Sequence, residues 1–187
     1  MVNNGGMEPT AEQKPTLGKR EGRSPRDMAM SLLILLIPIA LLLVFYRVVL
    51  GGDDPVKVDP SSAIQEARAA AVFPVAEPTG LSDDWVVTAA TFRRAEDGAT
   101  LRLGYVDPDD DSVLLVQSSV SADTLVPTEL GKEGKRTGTF RDEAQSWLRY
   151  EGRTGEVSLV LVEQGRTIIV VGRTDAKNVE ELAAALF

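Results

Sequence analysis

An apolar run at residues 28–46, MAMSLLILLIPIALLLVFY, constrains this chain more than any other feature of its sequence. The run contains no charged residue, and Asp27 and Arg47 bound it. At about 1.5 Å of rise per residue, a helix of this length extends roughly 28 Å, close to the ~30 Å hydrocarbon core of a bilayer. The sequence therefore predicts one membrane-spanning helix over residues 28–47.

The charges that flank the run predict its direction. Five basic residues precede it, whereas Arg47 and Lys57 are the basic residues just beyond it. Because basic residues concentrate on the cytoplasmic side of membrane spans, we expect a cytoplasmic N-terminus, a span in the plasma membrane and an extracytoplasmic C-terminal domain. A cleaved signal peptide is the alternative. The run is longer than the ~7–15 apolar residues usual there, and residues 49–51 match a cleavage site weakly.

The segments on either side of the span lack the side chains of a core. Residues 1–27 combine Gly, Pro, Asn and mixed charge, so burial cannot offset the entropy of ordering them, and we expect a disordered cytoplasmic tail. Residues 48–58 contain GGDDPVK and predict a linker. Residues 59–187 are then one extracytoplasmic domain, long enough to bury a single core.

Helical periodicity predicts a helix at each end of this domain. The first starts at Asp59 and runs to Phe73, with its apolar positions, including Ala71 and Val72, on one face, and Pro74 ends it. The second is capped by Asp175, and its apolar residues recur at helical spacing. Residues 121–130 are ambiguous, a helix interrupted by Pro127, and residues 131–138 read as a flexible basic loop.

Between these helices, alternating and apolar runs predict about seven strands. They are residues 85–92, 101–105, 113–118, 137–141, 146–150, 157–163 and 167–172. The last four are joined by connections of hairpin length, which predicts an antiparallel meander. We therefore expect an α+β domain with a mostly antiparallel sheet, flanked by an N-terminal and a C-terminal helix.

The amino-acid composition argues against several kinds of function. The chain has no Cys and no His, which removes disulfides, thiol nucleophiles, the Ser-His-Asp relay and the commonest zinc ligands. From residue 48 onward, 24 acidic residues outnumber 14 basic ones, so the domain is a poor partner for nucleic acid. We expect no enzyme, no catalytic residue, no metal and no cofactor. A carboxylate pair of the glycosidase kind stays open, but no pair stands out.

Three motifs have both a functional and a structural interpretation. Asp107, Asp109 and Asp111 alternate like the start of a calcium loop, but Ser112 and Ser118 stand where that loop needs Gly and Glu, so we expect a solvated turn. Residues 131–138, GKEGKRTG, lack the phosphate-loop spacing, and contact with a lipid headgroup or an acidic partner is the functional alternative to a mobile loop.

The third motif is the pair of tryptophans, Trp85 and Trp147. Exposed aromatic rings stack on sugars, but aromatic residues on strands more often belong to the core. We therefore expect both indole rings to be buried.

Several short motifs together resemble a known family. They are FPV at 73–75, PTGL at 78–81, Trp85, LGY at 103–105, WLRY at 147–150 and a final strand leading into an ELAA helix. With the basic tail and the span, they resemble an actinobacterial family of single-pass membrane proteins defined by an extracytoplasmic domain of unknown function. Residues 144–146 depart from the family's usual Gly-Arg before the second Trp. The terminal hairpin and helix look, more loosely, like the outer domains of membrane-bound regulators of envelope stress. The resemblance implies location and fold, and it brings no catalytic residue.

Two functions fit these observations. The first is an integral membrane protein with one span, which presents a binding or accessory domain to an envelope protein, a lipid or a glycan. The alternative is a sensory or regulatory subunit that signals through the cytoplasmic tail. The single span, the missing catalytic residue types and the single-domain length favour the first.

Overall fold

The computed structural model describes residues 25–49, 55–142 and 144–187. The chain divides after Asp53 into two units, which we describe separately. The first contains helix α1, Pro25–Val49, and the second contains all the other described elements. Most of the predicted tail, and residues 50–54 of the predicted linker, lie outside the described residues.

Helix α1 is apolar on all sides. It begins at Pro25, a favoured first helical residue because its missing N–H would have no helical acceptor there. Residues Pro25–Tyr46 have a mean hydropathy of 2.9, and none of this window is buried within the described structure. Its length and composition suffice to cross a membrane.

The second unit is an α+β domain built on a seven-stranded antiparallel sheet, which confirms the predicted fold class. Its strands are β1 (Val86–Ala95), β2 (Gly98–Val106), β3 (Ser112–Ser118), β4 (Lys135–Arg141), β5 (Ser146–Glu151), β6 (Val157–Glu163) and β7 (Arg166–Gly172). Its helices are α2 (Ser61–Ala70), α3 (Ala122–Leu130) and α4 (Ala176–Ala184).

Two antiparallel meanders form this sheet, in the order β1-β2-β3-β7-β6-β5-β4. Helix α3 carries the chain from β3 in the middle of the sheet to β4 at one edge, and β7 then returns to pair with β3. All seven residues of β7 are buried, which fits its central position and its continuous apolar run. Strands β1 and β4 are the two edges.

The strands alternate their side chains between two faces, and each face has its own core. The front face carries α2 and α4, which pack on Leu115, Leu159 and Ile168, each 0% exposed. The back face carries α3, whose Leu125 and Leu130 pack on the intervening strand residues, among them Val116, Val160 and Ile169. Both terminal helices of the domain therefore cover one face, and the central helix covers part of the other.

Helix α2 is shorter than predicted. It ends at Ala70, and Ala71 takes a left-handed conformation with φ 51° and ψ 30°, its N–H donating to the Arg68 carbonyl. The predicted continuation to Phe73 is wrong because a residue before proline is disfavoured in the helical region. Val72 is consequently 45% exposed rather than on the apolar face, whereas Phe73 turns into the core.

The connection after α3 also differs from the prediction. Residues 121–130 form one helix after their first residue, and Pro127 lies within it. Strand β4 starts at Lys135, which pairs with Glu151 on β5, so the predicted loop over 131–138 is limited to 131–134. A bulge at Thr137 interrupts the ladder between Arg136 and Gly138. The basic residues that suggested a loop thus lie largely on an edge strand.

Gln117 fixes the irregular connection between α2 and β1. Its side chain is 0% exposed, Nε2 donates to the Ala76 carbonyl at 2.7 Å, and Oε1 accepts the Ala76 amide at 2.9 Å. We expect Gln117→Ala to lower the free energy of unfolding by about 2 kcal/mol, since it leaves both backbone groups without these partners. Urea unfolding monitored by tryptophan fluorescence measures this loss. The exposed Gln164→Ala is the control, expected to stay within about 0.5 kcal/mol of wild type, and an equal loss there would contradict the assignment.

Candidate functional site

The acidic turn between β2 and β3 is anchored by one buried carboxylate. Asp107 is 1% exposed, and its Oδ1 accepts the amides of Asp109 at 3.0 Å and Asp111 at 2.8 Å. Its Oδ2 accepts the Thr174 hydroxyl and the Asn178 amide nitrogen. Residues 108–111 are exposed as predicted, but the expectation of a solvated turn is wrong for Asp107. The side chain ties the turn to the start of α4.

These contacts determine the pKa of the Asp107 carboxyl and the structural role of the turn. Burial raises the pKa of Asp107, but hydrogen bonds from Thr174, Asn178 and the two turn amides outweigh burial and hold the pKa below its usual range. Both carboxylate oxygens are occupied by protein donors. Among the described residues, no group of three or more acidic side chains is placed to hold a metal ion. Asp107 thus acts in the structure as a clamp, and the Asp109 carboxylate accepts a further bond from Asn178 Nδ2 at 2.8 Å.

Both tryptophans lie in the front core, which confirms the structural interpretation. Trp147 is 0% exposed, donates from Nε1 to Asp142 Oδ2 at 3.2 Å, and meets the Phe187 ring edge-on at 6.3 Å between centroids. Trp85 is 8% exposed and meets Tyr105 edge-on at 6.2 Å. Neither indole ring is available as a sugar platform.

Tyr105 lies in the same interior. Burial, together with the negative charge of Glu77, raises the pKa of Tyr105 to about 12. The phenol therefore stays neutral at physiological pH and packs as a core aromatic residue.

An open groove of about 420 Å³ lies on the back face beside the C-terminal end of α3. Gly104 and Leu114 contribute from the strands, Thr128 and Glu129 from α3, and Arg173 from the segment after β7. The absent side chain of Gly104 matters here, since a Cβ would lie 3.2 Å from the Ala89 Cβ. Small residues on β1 and β2 thus lower the sheet surface next to the helix.

Two ion pairs lie at this groove, and Arg173 lines it without an ion-pair partner among the described residues. Arg102 pairs with Glu129, and Arg153 pairs with Glu156 at 3.8 Å. Such partly exposed pairs each contribute about 0–1 kcal/mol. Glu156 Oε2 and Ser158 Oγ are buried without a hydrogen-bond partner among the described residues, and buried polar atoms of this kind are usually satisfied by water. The groove therefore combines apolar strand residues with charged groups, and each of its carboxylates faces an arginine.

Sequence reasoning missed a second buried charge, Arg166. It is 6% exposed, with Nε donating to Glu163 at 2.7 Å and Nη1 donating to the Pro74 carbonyl at 2.6 Å. Its guanidinium carbon also lies 6.0 Å from the centroid of the Phe187 ring. An arginine beside a hairpin turn gives no local signal of burial, because Pro74 and Phe187, which cover it, come from distant parts of the chain. Its role is to hold the segment after α2 and the C-terminus against β7.

Comparison with known proteins gives a weak structural likeness and a clear family. The crystal structure of MucB in complex with MucA(peri) matches with a TM-score of 0.33 and 16% sequence identity, over 60% of this chain and 36% of that chain. This chain thus spans about a third of the length of that protein, and a TM-score this low does not establish a common fold. No curated protein matches the chain in sequence.

The family comparison agrees with the resemblance to a domain of unknown function. A family model matches residues 20–186, which include α1 and nearly the whole of the second unit. The chain therefore belongs to the family described as "Protein of unknown function (DUF4245)".

Proposed function

We propose that this protein is anchored in the plasma membrane by α1 and presents residues 55–187 outside the cytoplasm as a binding or accessory domain for an envelope partner. One observation carries the proposal: α1 is apolar on all sides and none of its apolar window is buried. A core helix would bury at least a stripe of that surface, whereas a helix in lipid needs no protein cover.

The proposed orientation rests on the charges that flank the helix. Five basic residues precede the apolar run, whereas Arg47 and Lys57 are the basic residues just beyond it. The positive-inside tendency then favours a cytoplasmic N-terminus. An enzyme reporter that is active only outside the cytoplasm, fused after Phe187, is expected to be active, and activity only from an N-terminal fusion would reverse the orientation.

Binding at the surface, rather than catalysis, is the role that the domain supports best. The front core is solid: Leu115, Trp147, Ile168 and Leu182 are each 0% exposed, so these described side chains leave no space between sheet and helices for an enclosed lipid or metabolite. The groove on the back face is open and its carboxylates are paired with arginines. A solid front core beside an open groove with paired charges favours a protein partner.

Membrane fractionation tests the anchor. Wild-type protein is expected to stay in the membrane pellet after alkaline carbonate extraction, with residues 1–46 still present by mass spectrometry. Leu36→Arg combined with Leu41→Arg is expected to release most of the protein, since each Arg near the helix centre disfavours insertion by about 2.5–3.5 kcal/mol. Leu36→Ile with Leu41→Ile is the matched control and should stay in the pellet. A soluble extracytoplasmic product that lacks the apolar run would show a cleaved signal peptide and refute anchoring.

A further inference from the structure

We infer that the outer edge of β4 is the binding surface of this domain, and that its partner is an extended acidic segment of another protein that adds a strand beside β4. The inference rests on the proposed binding function and names the surface that performs it. Three observations carry it: the position of β4 in the sheet, the charges along it, and the regular, uncovered stretch that begins at Gly138.

Strand β4 is the last strand in the sheet order, and among the described strands it pairs with β5 alone. An edge strand presents unpaired N–H and C=O groups on its outer side, which an extended peptide can pair with. Five of the seven residues of β4 are exposed. The opposite edge is less open, because the Val58 amide donates to the Val87 carbonyl at 2.8 Å and lays residue 58 against β1.

The charge on this edge is opposite to that of the rest of the domain. Four cations, Lys132, Lys135, Arg136 and Arg141, form what we call the basic edge, and Glu133 is the only acidic residue among residues 132–141. None of the four forms an ion pair with any described residue. Five arginines elsewhere in the domain are paired, namely Arg68, Arg102, Arg149, Arg153 and Arg166, whereas Arg93, Arg94 and Arg173 have no ion pair among the described residues. An acidic segment is repelled by most of this acidic domain and attracted at the basic edge.

Space and register locate the pairing site on the second half of β4. The bulge at Thr137 breaks the ladder, and from Gly138 to Arg141 the register with β5 is regular. A Cβ added at Gly138 would meet nothing within 4 Å, so no described group covers the face of the sheet at this residue. Residues 138–141 therefore offer a regular edge, with Arg136 shortly before it and Arg141 at its end.

The same charges also argue against two other occupants. Lys and Arg on an edge strand protect against pairing with an identical edge, because two copies would bring like charges together. A second copy of this chain, joined edge to edge, is therefore disfavoured. Anionic lipid headgroups match the charge of the edge but leave its backbone N–H and C=O groups unpaired. An extended acidic polypeptide matches the charge and also pairs with these backbone groups.

The test uses the full chain in nanodiscs of zwitterionic lipid and three labelled eight-residue peptides. One alternates glutamate and valine, one alternates glutamate and proline with the same charge but without half of the N–H donors, and one alternates lysine and valine. We expect fluorescence anisotropy to show binding of the glutamate–valine peptide alone, and hydrogen exchange to show slower exchange in residues 138–141. Equal binding of the proline peptide would overturn strand addition.

Charge-reversal variants locate the site. Arg136→Glu with Arg141→Glu is expected to weaken binding of the glutamate–valine peptide at least about tenfold, since two attractive contacts become repulsive. Arg93→Glu with Arg94→Glu makes the same change in net charge on exposed positions of β1 and should change binding less than about threefold. An equal loss of peptide binding in both variants would overturn the proposal. So would binding of the protein to phosphatidylglycerol vesicles but to none of the three peptides. The fractionation result is independent of peptide binding, so a failure here leaves the membrane anchor standing.

Discussion

Replacing Asp107 by asparagine is expected to lower the free energy of unfolding by about 3 kcal/mol, because the substituted side chain loses the charge that four donors share. The buried Asn178 amide and the Thr174 hydroxyl would then face a group with one acceptor oxygen and one donor nitrogen. Urea unfolding of the full chain in detergent, followed by tryptophan fluorescence, measures the loss, since both tryptophans lie in the second unit.

Asp110→Asn is the matched control for this substitution. Asp110 is in the same turn and is exposed, and its φ of 64° is a conformation that asparagine tolerates well. The same chemical change there should alter stability by less than about 0.5 kcal/mol. If the two variants lose stability equally, the turn matters as a whole and the buried clamp at Asp107 is not its basis.

The pH dependence of stability gives a second measurement of the same clamp. The pKa of Asp107 is lowered in the folded state, so its contribution to stability is full above the unfolded value of about 3.9 and is lost as the pH falls through the lower folded pKa. The difference in stability between wild type and Asp107→Asn should therefore be constant at neutral pH and shrink below about pH 4. A difference that grows as the pH falls would contradict a lowered pKa.

The sequence predicted the elements of this fold better than their contacts. Alternation identified the strands, helical spacing identified α4, and hairpin-length connections identified the meander of β4 to β7. These signals are local, because each depends on residues within a few positions of one another. Asp107 was assigned to a solvated turn because its partners Thr174 and Asn178 lie 67 and 71 positions away.

The basic edge was missed for a related reason. Lys135 and Arg136 lie between glycines, and Gly and Lys are weak strand formers, so the local pattern indicated a loop. Pairing with Glu151 and Tyr150 on β5 overrides this preference. Whether a strand is an edge depends on the order of the whole sheet, and α3 places β4 there by crossing the back face. The sequence signal for the basic edge is positive charge along a strand with few apolar residues.

Trp147→Ala is expected to have the largest effect on stability, a loss of about 4 kcal/mol in the free energy of unfolding. The indole is 0% exposed on β5, and its removal would leave a cavity between the front face of the sheet and the C-terminal residue Phe187. It would also free Asp142 Oδ2, although Oδ1 would still accept the amides of Ala144 and Gln145. Urea unfolding followed by circular dichroism measures the loss without relying on the deleted fluorophore.

Two further substitutions separate the contribution of the indole ring volume from that of the hydrogen bond to Asp142 and provide a control. Trp147→Phe keeps an aromatic ring against Phe187 but lacks the Nε1 donor, so we expect a loss of about 1–2 kcal/mol from the hydrogen bond and the smaller ring. Val162→Ala shortens a side chain that is 51% exposed on the back face and should stay within about 0.5 kcal/mol of wild type. If Trp147→Phe is as unstable as Trp147→Ala, the bond to Asp142, which fixes the β4–β5 turn, outweighs the volume of the ring. If instead Trp147→Ala lowers the free energy of unfolding by less than about 1 kcal/mol, Trp147 lies on a surface open to a ligand. The front core is then not solid, and the argument from it for a protein partner fails.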